Sequence, residues 1–391
     1  MSTKTRPRLQ LAYFSPLSPQ RTGIADYNSE LLPHLSELAD VTLFVDDPGL
    51  LLDELVEQYE IRPYSDYPTS HQKFDLPIYH LGNSHFHKNI YETFCQFPGI
   101  VVLHDYVLHH FFADQSVWGS NYRYHQEITY NHNSQAIFGT EPRDPFADPL
   151  NGRITDLSLG LIAHSQYVID NIQQQNAQLP TAKIPQLMPV QTGQSRRHDL
   201  PFPESAIIFA SIGLITTSKQ IEFALETFAQ LAQTNENIFY LLVGEVLFDV
   251  PLVETIANLG LEKRVHCVGY VAGLQNFVDW IVTADVIINL RYPTSGETSA
   301  TALRAMAAGK PVIMFDHGWY AELPQDACIQ VPILDQAALS QAMARLAADV
   351  NLRQQMGARA LTVIETICHP QQVAQNYIDF INTVLQKYGD F

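Results

Sequence analysis

Residues 284–315 constrain the fold more tightly than any other stretch of the chain. Ala284-Asp-Val-Ile-Ile-Asn-Leu290 is apolar enough for a strand buried on both faces, and Pro311-Val-Ile-Met-Phe315 repeats that pattern. Between them lie a polar turn that begins at Arg291 and an Ala- and Leu-rich run that ends at Gly309. Ser295, Gly296, Glu297, Thr298 and Ser299 stand where a helix starts, and Gly309 and Pro311 stand where one stops. Strand, polar turn, helix and strand is the repeating unit of an α/β sheet. A helix start offers unpaired N–H groups and a partial positive charge, which suit a phosphate. Glu297 does not suit a phosphate, but its carboxylate can accept hydrogen bonds from sugar hydroxyls. The combination predicts a sugar phosphate whose two halves are read by different groups.

The same alternation runs through most of the chain. Strands are expected at Leu9–Phe14, Asp40–Val45, Leu76–His80, Ile100–His104 and Gly160–Ala163, then at Ala206–Ser211, Ile238–Val243, Arg264–Val268, Val286–Leu290 and Pro311–Met314. Amphipathic segments at Tyr27–Leu38, Tyr167–Asn176, Ile221–Gln233 and Asp335–Ala348 read as helices, with Asp335 as an N-cap. The pattern occurs twice. The break is the stretch Leu179–Pro203, whose five prolines make a poor helix and a poor central strand. It predicts one domain over 1–190, a second over 203–369, and a closing helix within 370–391. Open parallel sheets bind ligands beyond the carboxyl ends of their strands. Every polar motif in the chain falls just after an expected strand, so two facing sheets would hold substrates between them.

Composition narrows the partners. The chain of 391 residues carries 23 Lys plus Arg against 41 Asp plus Glu, a net charge of −18. A surface this acidic argues against a nucleic-acid partner. It gives no support for docking on anionic lipid, although peripheral membrane contact stays open. Cys95, Cys267, Cys328 and Cys368 have no paired spacing and read as reduced thiols. The N-terminus has no apolar stretch long enough for a signal peptide, and no later segment is long enough to span a bilayer. The expectation is a soluble, cytoplasmic protein.

Several loops carry candidate site residues. Gly23, after the first strand, reads either as a close-approach point for a ligand or as an ordinary turn; no dinucleotide fingerprint is present. Asn83 and His87 follow the third strand, and His104 and Asp105 follow the fourth. No spacing of these histidines stands out as a metal site, so no metal is expected. Gly213 and Lys219 follow the first strand of the second half, where an ammonium can neutralise a diphosphate, or simply lie solvated. Gly244 follows the next strand. Arg304 lies seven residues beyond Glu297, roughly 10 Å along a helix axis, either reaching toward the ligand or lying on the surface. Gly318 and Trp319 are candidate nucleotide contacts, with core packing as the alternative for Trp319.

Taken together, Thr22-Gly-Ile-Ala-Asp-Tyr27, Gly82-Asn-Ser84, Leu103-His-Asp105, Ala163-His-Ser165, Ile212-Gly…Ser-Lys219, Leu242-Val-Gly244, Val268-Gly-Tyr270 and the run from Glu297 to Pro311 resemble the retaining glycosyltransferases of family 4, the group 1 type with the GT-B fold. The resemblance covers nearly the whole chain. It implies an α/β architecture of two facing Rossmann-like domains with an interdomain cleft, and transfer of a hexosyl group from a nucleotide-diphosphate sugar to an acceptor hydroxyl. It implies Glu297 on donor-sugar hydroxyls, amides of Thr298, Ser299 and Ala300 near phosphate and sugar, and Lys219 on the diphosphate. Gly213, Gly244 and Arg304 complete the donor side. His104 and Gly23 would wall the donor pocket, and Asn83, His87 and Asp105 would face the acceptor. The last helix would cross back onto the first domain. No cofactor and no metal is implied.

Two positions depart from the family pattern. Arg304 stands where many members carry a second glutamate for the nucleotide ribose, and Leu214 where many carry an arginine after the phosphate-loop glycine. This predicts a phosphate site with one cation fewer near the loop and one more on the helix. A sugar-nucleotide epimerase of the same architecture and a catalytically silent sugar- or nucleotide-binding protein are the competing readings. The acceptor (saccharide, lipid or protein) is not readable, and residues 118–152 are the expected surface for it.

Overall fold

The computed structural model describes residues 8–51, 53–132 and 144–389. Part of the expected acceptor surface, 133–143, lies outside them. The chain forms two compact units: Met1–Leu187 with Ser295–Thr298 and Pro370–Phe391, and Met188–Thr294 with Ser299–His369.

The first unit is built on a parallel sheet of β1 (Gln10–Phe14), β2 (Asp40–Val45), β3 (Glu60–Pro63), β4 (Leu76–Leu81), β5 (Ile100–Leu103), β6 (Gly160–Ala163) and β7 (Thr181–Lys183), in the order β3-β2-β1-β4-β5-β6-β7. Successive β1 side chains go to opposite faces: Leu11 and Tyr13 into one core, Ala12 and Phe14 into the other. That is why these strands read as unbroken apolar runs. Helix Gly23–Leu38 covers one face, capped by Thr22 Oγ1, which accepts from Ile24 N at 3.3 Å. Helix Pro370–Tyr388 lies beside it and buries Val373, Tyr377, Ile381 and Val384. The Tyr377 hydroxyl meets that of Tyr27 at 2.7 Å.

The second unit repeats the plan. Its sheet holds β8 (Ile207–Ile212), β9 (Ile238–Val243), β10 (Val265–Gly269), β11 (Val286–Ile288), β12 (Val312–Phe315) and β13 (Ile329–Val331), ordered β10-β9-β8-β11-β12-β13 and parallel throughout. Both sheets therefore reverse direction once, between β1 and β4 and between β8 and β11. In an open α/β sheet such a switch point leaves a crevice beyond the strand ends. Asp335 caps helix Gln336–Ala348, accepting from Ala338 N at 2.9 Å.

Two boundaries differ from the sequence expectation. The division falls between Leu187 and Met188, and the proline-rich stretch after it belongs to the second unit. Gln191 N donates to Ala307 O, Gln194 N to Asp279 Oδ1, and Arg196 N to Thr283 Oγ1, so its backbone is hydrogen-bonded to neighbours within that unit. The helix after β11 begins only at Ala300, so Glu297 stands before it. Among the described residues, no helix is long and apolar enough to cross a membrane.

Candidate functional site

In the second unit the candidate residues gather at the β8/β11 switch point. β8 ends at Ile212, and Gly213 turns the chain with φ +96°. A Cβ built on Gly213 would lie 2.8 Å from Lys219 Nζ and 3.3 Å from Thr301 Oγ1. The loop glycine, the lysine and the first turn of helix Ala300–Ala307 thus converge on one point. Gly244, with φ +141°, is needed for another reason: its Cβ would fall 2.1 Å from the Gly213 carbonyl oxygen. The close approach there is to backbone, and Gly244 keeps the Gly213 turn in place.

Lys219 donates to Ile212 O at 2.9 Å. Its ammonium is pulled down to about 7, first by loss of solvent and then by the like charge of Arg291. Ser299 caps the helix, its Oγ accepting from Ala302 N at 3.2 Å and meeting Asn289 Oδ1 at 3.0 Å. Ala300 is therefore the first helical residue, and the expected donor-side amides straddle the cap.

Glu297 and Thr298 belong with the first unit. Val107 N donates to Ser295 O at 2.9 Å, and a Cβ on Gly296 (φ +78°) would collide with Tyr106 Cβ at 2.6 Å. Glu297 Oε2 accepts from Ser295 N at 2.7 Å and closes its own turn. The reading of Glu297 as a first-turn carboxylate is corrected: it stands ahead of the N-cap, so helical rise does not relate it to Arg304. The exposed alternative for Arg304 is also corrected. Its side chain is buried, at 4% exposure, with Nη1 3.6 Å from Met188 Sδ. Trp319 packs in the second unit's core, as one of its two readings held.

In the first unit the candidates gather around Gly82, after β4. A Cβ there would meet Ile24 Cδ1 at 2.8 Å, Asp105 Oδ2 at 3.0 Å and His87 Nε2 at 3.1 Å. Ile24 opens the helix that starts at Gly23, so residues after β1, β4 and β5 share this notch. Around Gly23 itself a Cβ would find no atom within 4 Å. Asn83 N donates to Asp105 Oδ2 at 2.8 Å, and Asn83 Oδ1 accepts from Phe111 N at 2.8 Å. His87 is fully buried; Nδ1–H donates to His80 O at 3.0 Å, and Nε2 has no partner among the described residues. Burial pulls its imidazole down to about 4.

His104 is held in a row that sequence reasoning missed. His80 Nδ1 lies 2.9 Å from His104 Nε2, and His104 Nδ1 lies 3.3 Å from His164 Nε2. His164 Nδ1 lies 2.8 Å from Ile184 O, and a carbonyl oxygen can only accept. His164 therefore carries its proton on Nδ1, and burial pulls its imidazole down to about 4. Burial, followed by the other imidazoles, holds His80 and His104 well below the ordinary histidine range. With all three rings neutral the row has one direction: His80 donates to His104, His104 to His164, and His164 to Ile184 O. Both nitrogens of His104 are engaged, and the Tyr27 ring packs against it with centroids 5.3 Å apart. The clue in the sequence was positional, since His80, His104 and His164 lie at the ends of three neighbouring strands. Among the described residues no group of three His, Cys, Asp or Glu side chains is placed to hold a metal ion.

Residues 194–362 match the family model described as glycosyl transferases group 1. Lys219, Gly213 and the helix start all lie inside the matched residues. HepE from Anabaena, solved with UDP and glucose, is 15% identical with a TM-score of 0.69, over 96% of this chain and 100% of that one. Sucrose-phosphate synthase from Thermosynechococcus elongatus is 16% identical with a TM-score of 0.70, over 97% and 100%. A glycosyltransferase from Rickettsia africae is 14% identical with a TM-score of 0.64, over 97% and 100%. At such identities the likeness is one of fold, that of the GT-B glycosyltransferases, and it extends over both units. No curated protein matches the chain by sequence.

Proposed function

We propose that the protein moves a hexosyl group from a nucleotide-diphosphate sugar to an acceptor hydroxyl, with retention of anomeric configuration. The observation that carries this is the convergence of Lys219 Nζ, Thr301 Oγ1 and a Ser299-capped helix start on the Gly213 turn, inside the matched domain. That arrangement suits a diphosphate. In transfer, the bond from the anomeric carbon to the diphosphate oxygen breaks and a bond to the acceptor oxygen forms. The acceptor proton passes to the departing phosphate oxygen. The chief demand is to stabilise negative charge growing on the leaving group, which a fixed cation and helix amides meet in a partly desolvated site. These groups can take the part a divalent metal plays elsewhere, so turnover should survive a chelator.

Glu297 reads the donor-sugar hydroxyls, and its closed turn fixes the carboxylate. Asn83, His87 and Asp105 serve the acceptor. His104 serves as a wall, presenting its ring rather than a proton. The test incubates the protein with UDP-, GDP- and ADP-sugars and candidate acceptors. Expected are acceptor-dependent release of nucleotide and an NMR-defined product with the donor's anomeric configuration. Release of an epimerised sugar nucleotide without acceptor would replace this reading with epimerisation. Glu297→Ala should abolish transfer at a cost of about 1 kcal/mol in stability, the worth of its hydrogen bond to Ser295 N. Wild-type turnover in that variant would remove Glu297 from the mechanism.

A further inference from the structure

We propose that the first unit carries a further saccharide site, between residues 63–68 and helix Lys88–Gln96, which holds a neutral sugar ring of the acceptor. The inference rests on the transfer reading above and narrows the acceptor to a saccharide longer than a single ring. A cavity of about 330 Å³ lies at this place. That is near the lower end of the roughly 300–1,000 Å³ that small-ligand sites occupy, room for a sugar ring but not for a whole nucleotide sugar. Three strands bring its walls together. Asp46 follows β2, Tyr64 and Ser65 follow β3, and Asn89 stands in the first turn of the helix after β4. Asn89 also follows His87 by two residues, so one helix start joins the cavity to the notch at Gly82.

The walls are held from behind. Asn89 Nδ2 donates to Asp46 Oδ1 at 2.5 Å and ties the helix start to the end of β2. The Tyr64 ring stacks on Phe14, with centroids 5.8 Å apart. Phe97 meets the edge of Tyr67 at 5.4 Å, and its carbonyl accepts from the Tyr79 hydroxyl at 2.7 Å. The polar groups differ in what they offer. The carboxylates of Asp46 and Glu92 only accept hydrogen bonds. Burial, followed by the Asp46 charge, pushes the Tyr64 phenol up, so it keeps its proton and can donate. Pro63, Pro68 and Phe97 add apolar surface. A sugar answers this mixture, because its hydroxyls donate and accept while its C–H faces are apolar. An acyl chain would cover two carboxylates and an amide without bonding to them. An anion would meet both carboxylates and, among the described residues, no lysine or arginine in the lining. Arg123 Nη2 stands 3.9 Å from Glu92 Oε1 and offsets that charge in part.

The experiment records saturation-transfer NMR and calorimetric binding of maltotriose, cellotriose and triacetylchitotriose to the full chain, with spermidine and calcium chloride as cationic controls. At least one trisaccharide should bind the wild type. Ser65→Trp fills the cavity from its exposed rim and should weaken that binding about tenfold or more, with melting temperature and UDP-sugar binding at wild-type values. Glu92→Gln keeps the shape, removes a charged acceptor and should weaken it about three- to tenfold. In transfer assays Ser65→Trp should raise the KM for the acceptor and leave the KM for the donor unchanged. If no trisaccharide binds below about 10 mM, or if binding survives Ser65→Trp within about twofold, the saccharide site is wrong and the transfer reading stands. If spermidine or calcium binds in a way that Ser65→Trp abolishes and no trisaccharide does, the cavity is a cation site and the proposal falls. If a trisaccharide binds through this cavity but no sugar nucleotide is turned over, the site stands and the transfer reading falls.

Discussion

The two sheets share one strand order and treat charge in opposite ways at their carboxyl edges. Beyond β4, β5 and β6 the first unit lines up His80, His104 and His164 and keeps them neutral, each imidazole satisfying the next. Beyond β8 and β11 the second unit brings Lys219 beside Arg291 and leaves two like charges close together. The first arrangement is stable as it stands, because its polar atoms largely answer one another. The second disfavours its own charge, since burial and then the nearby Arg291 pull the Lys219 ammonium down. One architecture thus supports two chemistries, and the difference comes from a handful of side chains just past the strand ends.

This contrast makes unequal predictions for the two edges. Lys219→Ala should lower kcat/KM for a nucleotide sugar by about 10²–10³-fold, the scale of losing one preorganised charge contact in a transition state. Its melting temperature should stay level or rise, since a cation disfavoured by its surroundings is gone. A large loss of stability there would break the comparison. At the other edge, low pH should tell. His164 and His87 fall from the ordinary 6.5 to about 4 on folding. Between those values the unfolded chain binds more protons than the folded one, so stability drops as pH falls from about 6.5 to about 4, by about 3 kcal/mol for each histidine. Thermal melts across that range check the sign, and a flat profile would mean the row is not neutral. His164→Leu removes the acceptor for His104 Nδ1–H and should cost about 1–3 kcal/mol by denaturant titration. Long-range 1H–15N NMR of the remaining histidines should then show His104 losing its Nδ1–H tautomer. The smallest effect is expected from Tyr377→Phe, which deletes the hydrogen bond to Tyr27 and should cost about 1 kcal/mol without altering the His80–His104–His164 tautomers.

Much of this was legible in the residues because it depends on local pattern. Ten strands were readable because parallel strands buried on both faces are continuous apolar runs. The three missed, Glu60–Pro63, Thr181–Lys183 and Ile329–Val331, lie at sheet edges, with one neighbour each and polar residues among them. Lys219 and Gly213 were readable as a loop after a strand. Arg291 was not, because its partnership with Lys219 depends on which strands become neighbours, and β8 and β11 are far apart in the chain. The histidine row was hidden for the same reason: each ring sits alone in its own segment until the sheet aligns them. Helix onset after β11 was misjudged because Ser295, Thr298 and Ser299 are all plausible caps, and only the contact of Gly296 with Tyr106 decides among them.

The first unit draws on three separated pieces of chain, Met1–Leu187, Ser295–Thr298 and Pro370–Phe391. A ribosome therefore delivers all seven of its strands long before the side chains that complete its core. Val373, Tyr377, Phe380, Ile381 and Val384 are made only after residue 369, when the whole second unit has already been synthesised. Until then the apolar side of helix Gly23–Leu38 and of β6 at Gly160 waits uncovered, a surface that a chaperone can hold and that a stop codon near residue 369 would leave permanently sticky.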